Sequence, residues 1–353
     1  MDLGSDQGSD NRQMNSVPED ELALARMAVP FHARLLPSAE LPALLRSPNT
    51  LAAFTFGAPG RGECPQEFRV GLPLLAGDYT EVWHSPETVK AGQDGNLSWT
   101  ANSQVLCGHV WIDDASADLA QVTEDVYRQI MGEIHRRGYP HLLRVWNYFP
   151  NINDGDDDQE RYKQFCLGRH RGMQVTQDLE PQLPAATAIG SHVNGLFVAF
   201  LASRSPGDQI ENPRQVSAYR YPRQYGPRSP SFARATLKSW GNAAHLYISG
   251  TASVVGHESV HPGDLDSQIR ETGRNIQVLL RHAVLKARDL GEVRMTDLSL
   301  LRVYMRHPEH VERAREILQG MVGIDIPAVY VHGDICRRDL LIEIEGLYAT
   351  GIG

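Results

Sequence analysis

Two stretches of this 353-residue chain run through the same three elements in the same order, and no other feature constrains the fold as strongly. In the first, Gln104 to Ile112 reads as a strand, Leu119 to Arg137 carries Val122, Val126, Ile130 and Ile134 at helical spacing, and His141 to Phe149 reads as a strand again. In the second, His245 to Val254 is strand-like, and Asp264 to Leu290 puts Ile269, Ile276, Leu279, Leu280 and Val284 on one helical face. Ser299 to Arg306 then returns as a strand. The third elements share letters: Leu142-Leu143-Arg144-Val145 before an aromatic, and Leu300-Leu301-Arg302-Val303 before Tyr304. An internal duplication of two α+β units is expected. The second copy continues with a short helix over Val311 to Met321, a strand over Ala328 to His332, and a last strand over Leu340 to Ala349 that alternates around Glu343 and Glu345.

Composition bounds the rest. With 41% hydrophobic residues the chain can bury a full core, as one large domain or two ordinary ones. A formal net charge of -9 argues against nucleic acid as a partner and for a small-molecule substrate. Cys64, Cys107, Cys166 and Cys336 lie far apart without paired spacing, so neither a disulfide framework nor a zinc site is expected, and the compartment should be reducing. Residues 1–20 are polar and acidic with no apolar signal core, and no apolar run reaches the roughly 18 residues of a membrane span. A cytoplasmic protein with a disordered tail over 1–20 follows, and the Pro- and Gly-rich stretch from there to about residue 100 is expected to be irregular.

Several motifs have ordinary explanations. Gly57-Ala-Pro-Gly60-Arg-Gly62 lacks the Lys-Ser/Thr and the helix of a phosphate loop, and His307-Pro-Glu-His310 marks a strand-to-helix junction rather than a metal site. The acidic run 151–160, NINDGDDDQE, lacks the ligand spacing of a calcium loop and reads as a solvated turn, while Asn212 to Pro230 reads as loop. Glu343 and Glu345 share one face of the last strand, opposite Ile342 and Ile344. By pattern alone the polar outer face of a half-exposed strand is favoured over a functional pair.

The segment from His245 to the end, with ISGTASVVGHESVHPGD, LLRVYMRHPEH and the closing DLLIEIEGLYA, resembles the RidA/YjgF superfamily of small α+β domains. RYKQFCLGR, AYRYPRQYGPRSPSFARA, ISGTASVVGH and GDICRRDLLIEIEG together resemble the chorismatases, in which two RidA-like units share a chain; the resemblance covers about 100–353. It implies an α+β fold of two RidA/YjgF-like (chorismate mutase-like) units, with mixed sheets and helices packed on one face. A degenerate N-terminal unit would span 21–190, and a C-terminal unit carrying the catalytic Glu would span 191–353. Oligomeric state stays open between a monomer with internal pseudo-symmetry and a trimer.

The implied reaction splits chorismate into pyruvate and 3-hydroxybenzoate, with 4-hydroxybenzoate as a further product, for pigment, quinone or secondary metabolism and without cofactor or metal. Carried over by motif, Tyr162, Arg169, Tyr221 and Arg234 contact the substrate, Glu343 is the catalytic acid, and Gly250 and Cys336 occupy two product-selecting positions. Members releasing the non-aromatic dihydrodiol tend to carry Ala at both. Chorismate bears two carboxylates, which suits two arginine forks. Its enol ether breaks once the methylene carbon is protonated, which suits a carboxylic acid whose pKa is raised by burial and by Glu345, against opposition from the arginines. Cys336 would assist or shape the second step. An imine or enamine deaminase, or a ligand-binding member without turnover, are the alternatives.

Overall fold

The computed structural model describes residues 29–113, 118–175, 179–286, 291–323 and 326–350; the tail 1–20 and the end of the expected long helix, 287–290, lie outside them. The chain begins with β1 (His32–Pro37), the short helix α1 (Leu41–Arg46), β2 (Thr50–Phe56), β3 (Gly60–Arg61), β4 (Glu67–Val70) and β5 (Tyr79–His84), forming a sheet in the order β1-β5-β2-β4-β3. The stretch from residue 29 to about 100 therefore forms sheet and is not irregular. Its strands are short, and Thr50 to Phe54 are buried at every position, so no period-two signal is written there. Gly57 and Gly60 of the glycine-rich motif adopt positive φ in the turn between β2 and β3.

Next come β6 (Lys90–Asp94), β7 (Leu97–Ala101), β8 (Val105–Ile112), α2 (Leu119–Arg136), β9 (His141–Pro150), α3 (Arg161–Gly172), β10 (Ala185–Ser191) and β11 (Leu196–Ser203), in a sheet ordered β10-β9-β11-β8-β7-β6. The final part holds β12 (Asp208–Ile210), β13 (Ala235–Trp240), β14 (Ala243–Thr251) and the small pair β15 (Val254–Val255) and β16 (Glu258–Ser259). It ends with α4 (Leu265–Lys286), β17 (Leu300–Met305), α5 (Val311–Val322), β18 (Ala328–His332) and β19 (Ile342–Ala349). Its main sheet runs β12-β13-β14-β19-β17-β18.

Read from opposite edges, the two six-stranded sheets match strand for strand. β10 and β9 pair in parallel as β18 and β17 do, and β11 lies between β9 and β8 as β19 lies between β17 and β14. The duplication is thus larger than the shared letters, because α3, β10 and β11 repeat as α5, β18 and β19. The boundary expected at 190/191 cuts the last residue from β10 and parts it from β11, which belongs to the same sheet, so the first six-stranded sheet closes at Ser203. The N-terminal sheet follows a cut-down version of the same plan, β1-α1-β2-β4-β5, with β2 and β4 parallel.

Each six-stranded sheet packs its helices on one face. Val126, Tyr127, Ile130 and Phe165 cover the first, and Ile269, Ile276, Leu279 and Ile317 cover the second, where they meet Ile342 and Ile344. The opposite faces share one central core with the N-terminal sheet, built from Phe54, Trp83, Trp146, Tyr148, Phe197, Tyr247 and Tyr304 among others. Alternation therefore points Glu343 and Glu345 into the molecule rather than outward.

Through this core runs a buried ionic ladder. Arg144 of β9 donates to Glu345 at 2.5 Å, Glu345 faces Arg302 of β17 at 3.6 Å, and Arg302 donates to Glu81 of β5 at 2.6 Å. The Trp146 and Trp83 indoles donate to Glu345 and Glu81 at 2.7 and 2.8 Å. The arginines common to both repeated tetrapeptides are thus the cations that tie the three sheets together. No described helix is long and apolar enough to cross a membrane.

Candidate active site

Where the two copies meet, a cavity of about 280 Å³ opens, and Tyr162, Arg169, Tyr221, Arg234, Gly250, Cys336 and Glu343 all line it. They come from both halves: Tyr162 and Arg169 from α3, Tyr221 from the loop after β12, Arg234 from just before β13, Gly250 from β14, Cys336 from the turn after β18, and Glu343 from β19.

Arg169 is placed by the glycines beside it. A Cβ at Gly168 would lie 2.1 Å from the Ala120 carbonyl, and one at Gly172 would lie 2.6 Å from that of Glu124, so only glycine lets α3 lie this close on α2. The guanidinium sits 5.3 Å from the centre of the Tyr127 ring, Arg169 is 3% exposed, and its Nε and Nη2 find no acceptor among the described residues. Arg234, 6% exposed, donates from Nη2 to the Tyr221 hydroxyl at 2.7 Å and the Val216 carbonyl at 2.9 Å, while its Nε has no acceptor among the described residues. Buried donors without acceptors cost stability. Two arginines that both keep such donors beside a cavity are prepared for an anion with more than one negative group.

Glu343 is 4% exposed, and its carboxyl makes no hydrogen bond among the described residues. Burial pushes its pKa up to about 8, and the neighbouring Glu345 charge adds to this against the pull of Arg144 and Arg234. The two acids two residues apart therefore differ by surroundings. Glu345 accepts hydrogen bonds from Arg144, Trp146 and Thr187, whereas Glu343 stays protonated at neutral pH and aims into the cavity. Gly250 forms the ledge beneath it: a Cβ there would stand 1.9 Å from Glu343 Oε1. The Cys336 thiol is pushed up to about 12 by burial and then by Glu343, so it is a neutral wall and not a thiolate.

Reading the sequence missed several lining residues. Arg337 lies with its guanidinium 4.3 Å from the Tyr225 ring centre and donates to the His257 carbonyl at 2.9 Å. Its adjacency to Cys336 was the available signal. Thr187, from the otherwise apolar β10, had none. The acidic run is more than a solvated turn, because Asp158 takes both Nη atoms of Arg223 at 2.8 and 2.5 Å, and Arg338 donates to the Asn153 carbonyl at 2.5 Å. These contacts pin the 212–230 loop and the turn after β18 to the acidic run near the cavity mouth.

Comparison with known proteins gives the family. Residues 81–202 match the family model described as "Chorismatase FkbO/Hyg5-like, N-terminal". A chorismatase of Streptomyces hygroscopicus is 36% identical over 279 residues, spanning 77% of this chain and 79% of the relative. The chain belongs to the chorismatase family. A 3-hydroxybenzoate synthase of the same organism is also 36% identical, over 278 residues, 76% of this chain and 81% of that one. A chorismatase crystal structure superposes with a TM-score of 0.81 at 30% identity, covering 90% of this chain and 98% of the other. In this chain Glu343, the two arginines and the Gly250 ledge line one cavity.

Proposed function

We propose that this chorismatase cleaves chorismate to pyruvate and 3-hydroxybenzoate, with Glu343 as the general acid. The observation that carries the proposal is a carboxylic acid still protonated near neutrality in a cavity whose arginines have donors to spare. Arg169 and Arg234 grip the two carboxylates, and the Tyr162 and Tyr221 rings wall the substrate. Glu343 hands its proton to the enol-ether methylene carbon, making it a methyl group and leaving an oxocarbenium ion. The ring hydroxyl next to the ether attacks the ring carbon as the C–O bond breaks. Pyruvate departs as a keto acid, and the hydroxyl proton can return to the Glu343 carboxylate. The resulting epoxide opens with uptake of a proton and loses a ring proton to give 3-hydroxybenzoate, so no water is consumed. The neutral Cys336 thiol and the Gly250 ledge shape the second step. Purified protein given chorismate should release pyruvate and 3-hydroxybenzoate, followed by a coupled pyruvate assay and by chromatography; unchanged chorismate overturns the reading.

The two product-selecting positions give a sharper test. An Ala at 250 forces the Glu343 carboxyl to swing aside, and an Ala at 336 widens the wall, which admits water to the cation. The Gly250→Ala/Cys336→Ala double variant should still release pyruvate while its ring product shifts to the dihydrodiol. An unchanged product would remove the selecting role from both residues.

A further inference from the structure

We propose that Thr187 is a positioning residue for the acid: its hydroxyl, supplied by the first copy, holds the backbone ledge on which the second copy's Glu343 carboxyl rests. This inference rests on the reaction proposed above. In β14 the ladder with β19 slips between Ile248 and Thr251, so Gly250 lies in a bulge and not in register with β19. The Gly250 N–H instead finds Thr187 Oγ1 at 3.0 Å, and the neighbouring Ser249 Oγ accepts the Ala186 N–H at 2.9 Å. β10 thus clasps the bulge at two successive residues.

The Thr187 hydroxyl is fully used. It donates to Glu345 Oε2 at 2.6 Å and accepts from Arg144 Nη2 at 2.5 Å as well as from Gly250. That saturation fixes its rotamer, and the side chain is 3% exposed. Its methyl group would lie 3.2 Å from a Gly250 Cβ, on the cavity wall beside Glu343. One hydroxyl therefore joins the Glu345 carboxylate of β19 to the backbone that decides where the Glu343 carboxyl can lie. Catalytic geometry tolerates little displacement, since a shift of about 1 Å can cost roughly 100-fold.

Thr187→Val keeps shape and removes the hydroxyl, whereas Thr187→Ser keeps the hydroxyl and removes the methyl. The valine variant is expected to lose about 10- to 100-fold in kcat with KM nearly unchanged, and to leak dihydrodiol into the product. The serine variant should behave as wild type in both respects. Normal kcat and product in the valine variant, or a serine variant as impaired as the valine one, overturns the inference. Amide hydrogen exchange at Gly250 reads the contact without turnover: protection should be lost in the valine variant and kept in the serine one. If the wild-type protein leaves chorismate intact while Gly250 follows that pattern, the reaction falls and the tether stands. Equal protection in all three proteins removes the tether.

Discussion

Glu343→Gln is expected to abolish measurable pyruvate release, a loss of at least the roughly 10²- to 10⁴-fold that general acid catalysis supplies. The substitution is close to isosteric, and at neutral pH it replaces one uncharged side chain by another, because Glu343 is protonated there. No hydrogen bond among the described residues is broken, so the thermal midpoint should stay within a degree or two of wild type and substrate affinity should be kept. Loss of turnover in a protein that still folds and binds would isolate the proton. Retained turnover would remove the acid assignment.

The wild-type pH profile carries the same information. The carboxyl is active while it holds its proton, and burial raises its pKa to about 8. Thus kcat/KM should be flat through neutrality and fall about tenfold per pH unit above 8. An ordinary carboxyl would instead give activity that fades above pH 4 to 5. A binding dianion disfavours ionisation of Glu343 still further, so the limb in kcat should lie at higher pH than that in kcat/KM.

Arg302→Met should destabilise the fold by about 3 to 5 kcal/mol, the usual cost of removing one partner from a buried ion pair. Arg302 is 2% exposed, and its removal leaves Glu81 with the Trp83 indole as its remaining partner while Glu345 loses its second cation. Urea unfolding at pH 7 reads the effect. Arg313→Met, which breaks an exposed pair with Asp266, serves as the contrast and should shift the urea midpoint far less. Adding Glu81→Gln to Arg302→Met should return part of the loss, since the stranded charge is then gone. If the two arginine variants unfold alike, the ladder does not hold the sheets together.

How much of this could be read beforehand follows from where periodicity exists. The α2, α4 and α5 helices and the β8, β9, β17 and β19 strands each bury one consistent face, or a long apolar run, and the sequence expectations fall within a few residues of them. The N-terminal sheet escaped because its strands are two to seven residues long and Thr50 to Phe54 show no alternation. The placement of β11 escaped because LFVAFLAS is buried throughout, and only its pairing with β8 and β9 shows which copy owns it. At the site, residues in distinctive blocks, such as Arg169 in RYKQFCLGR and Glu343 in LLIEIEG, could be found by resemblance. Thr187 could not, because its importance lies in a contact across 63 positions with Gly250. The raised pKa of Glu343 was foreseeable in direction, but the residues that hold the neighbouring Glu345 come from the other copy.

The strand-for-strand match of the two large sheets also shows what one continuous chain permits. Glu343 stands opposite Tyr304 on its neighbouring strand, and the equivalent place in the first copy, opposite Trp146, is taken by Ala199. Where Glu345 faces Arg302, the first copy has Leu201 facing Arg144. An assembly of identical subunits must carry every mutation at all of its interfaces simultaneously. Here each repeat drifts alone, so the two copies bring different side chains to one cavity, and an asymmetric substrate meets a correspondingly asymmetric enclosure.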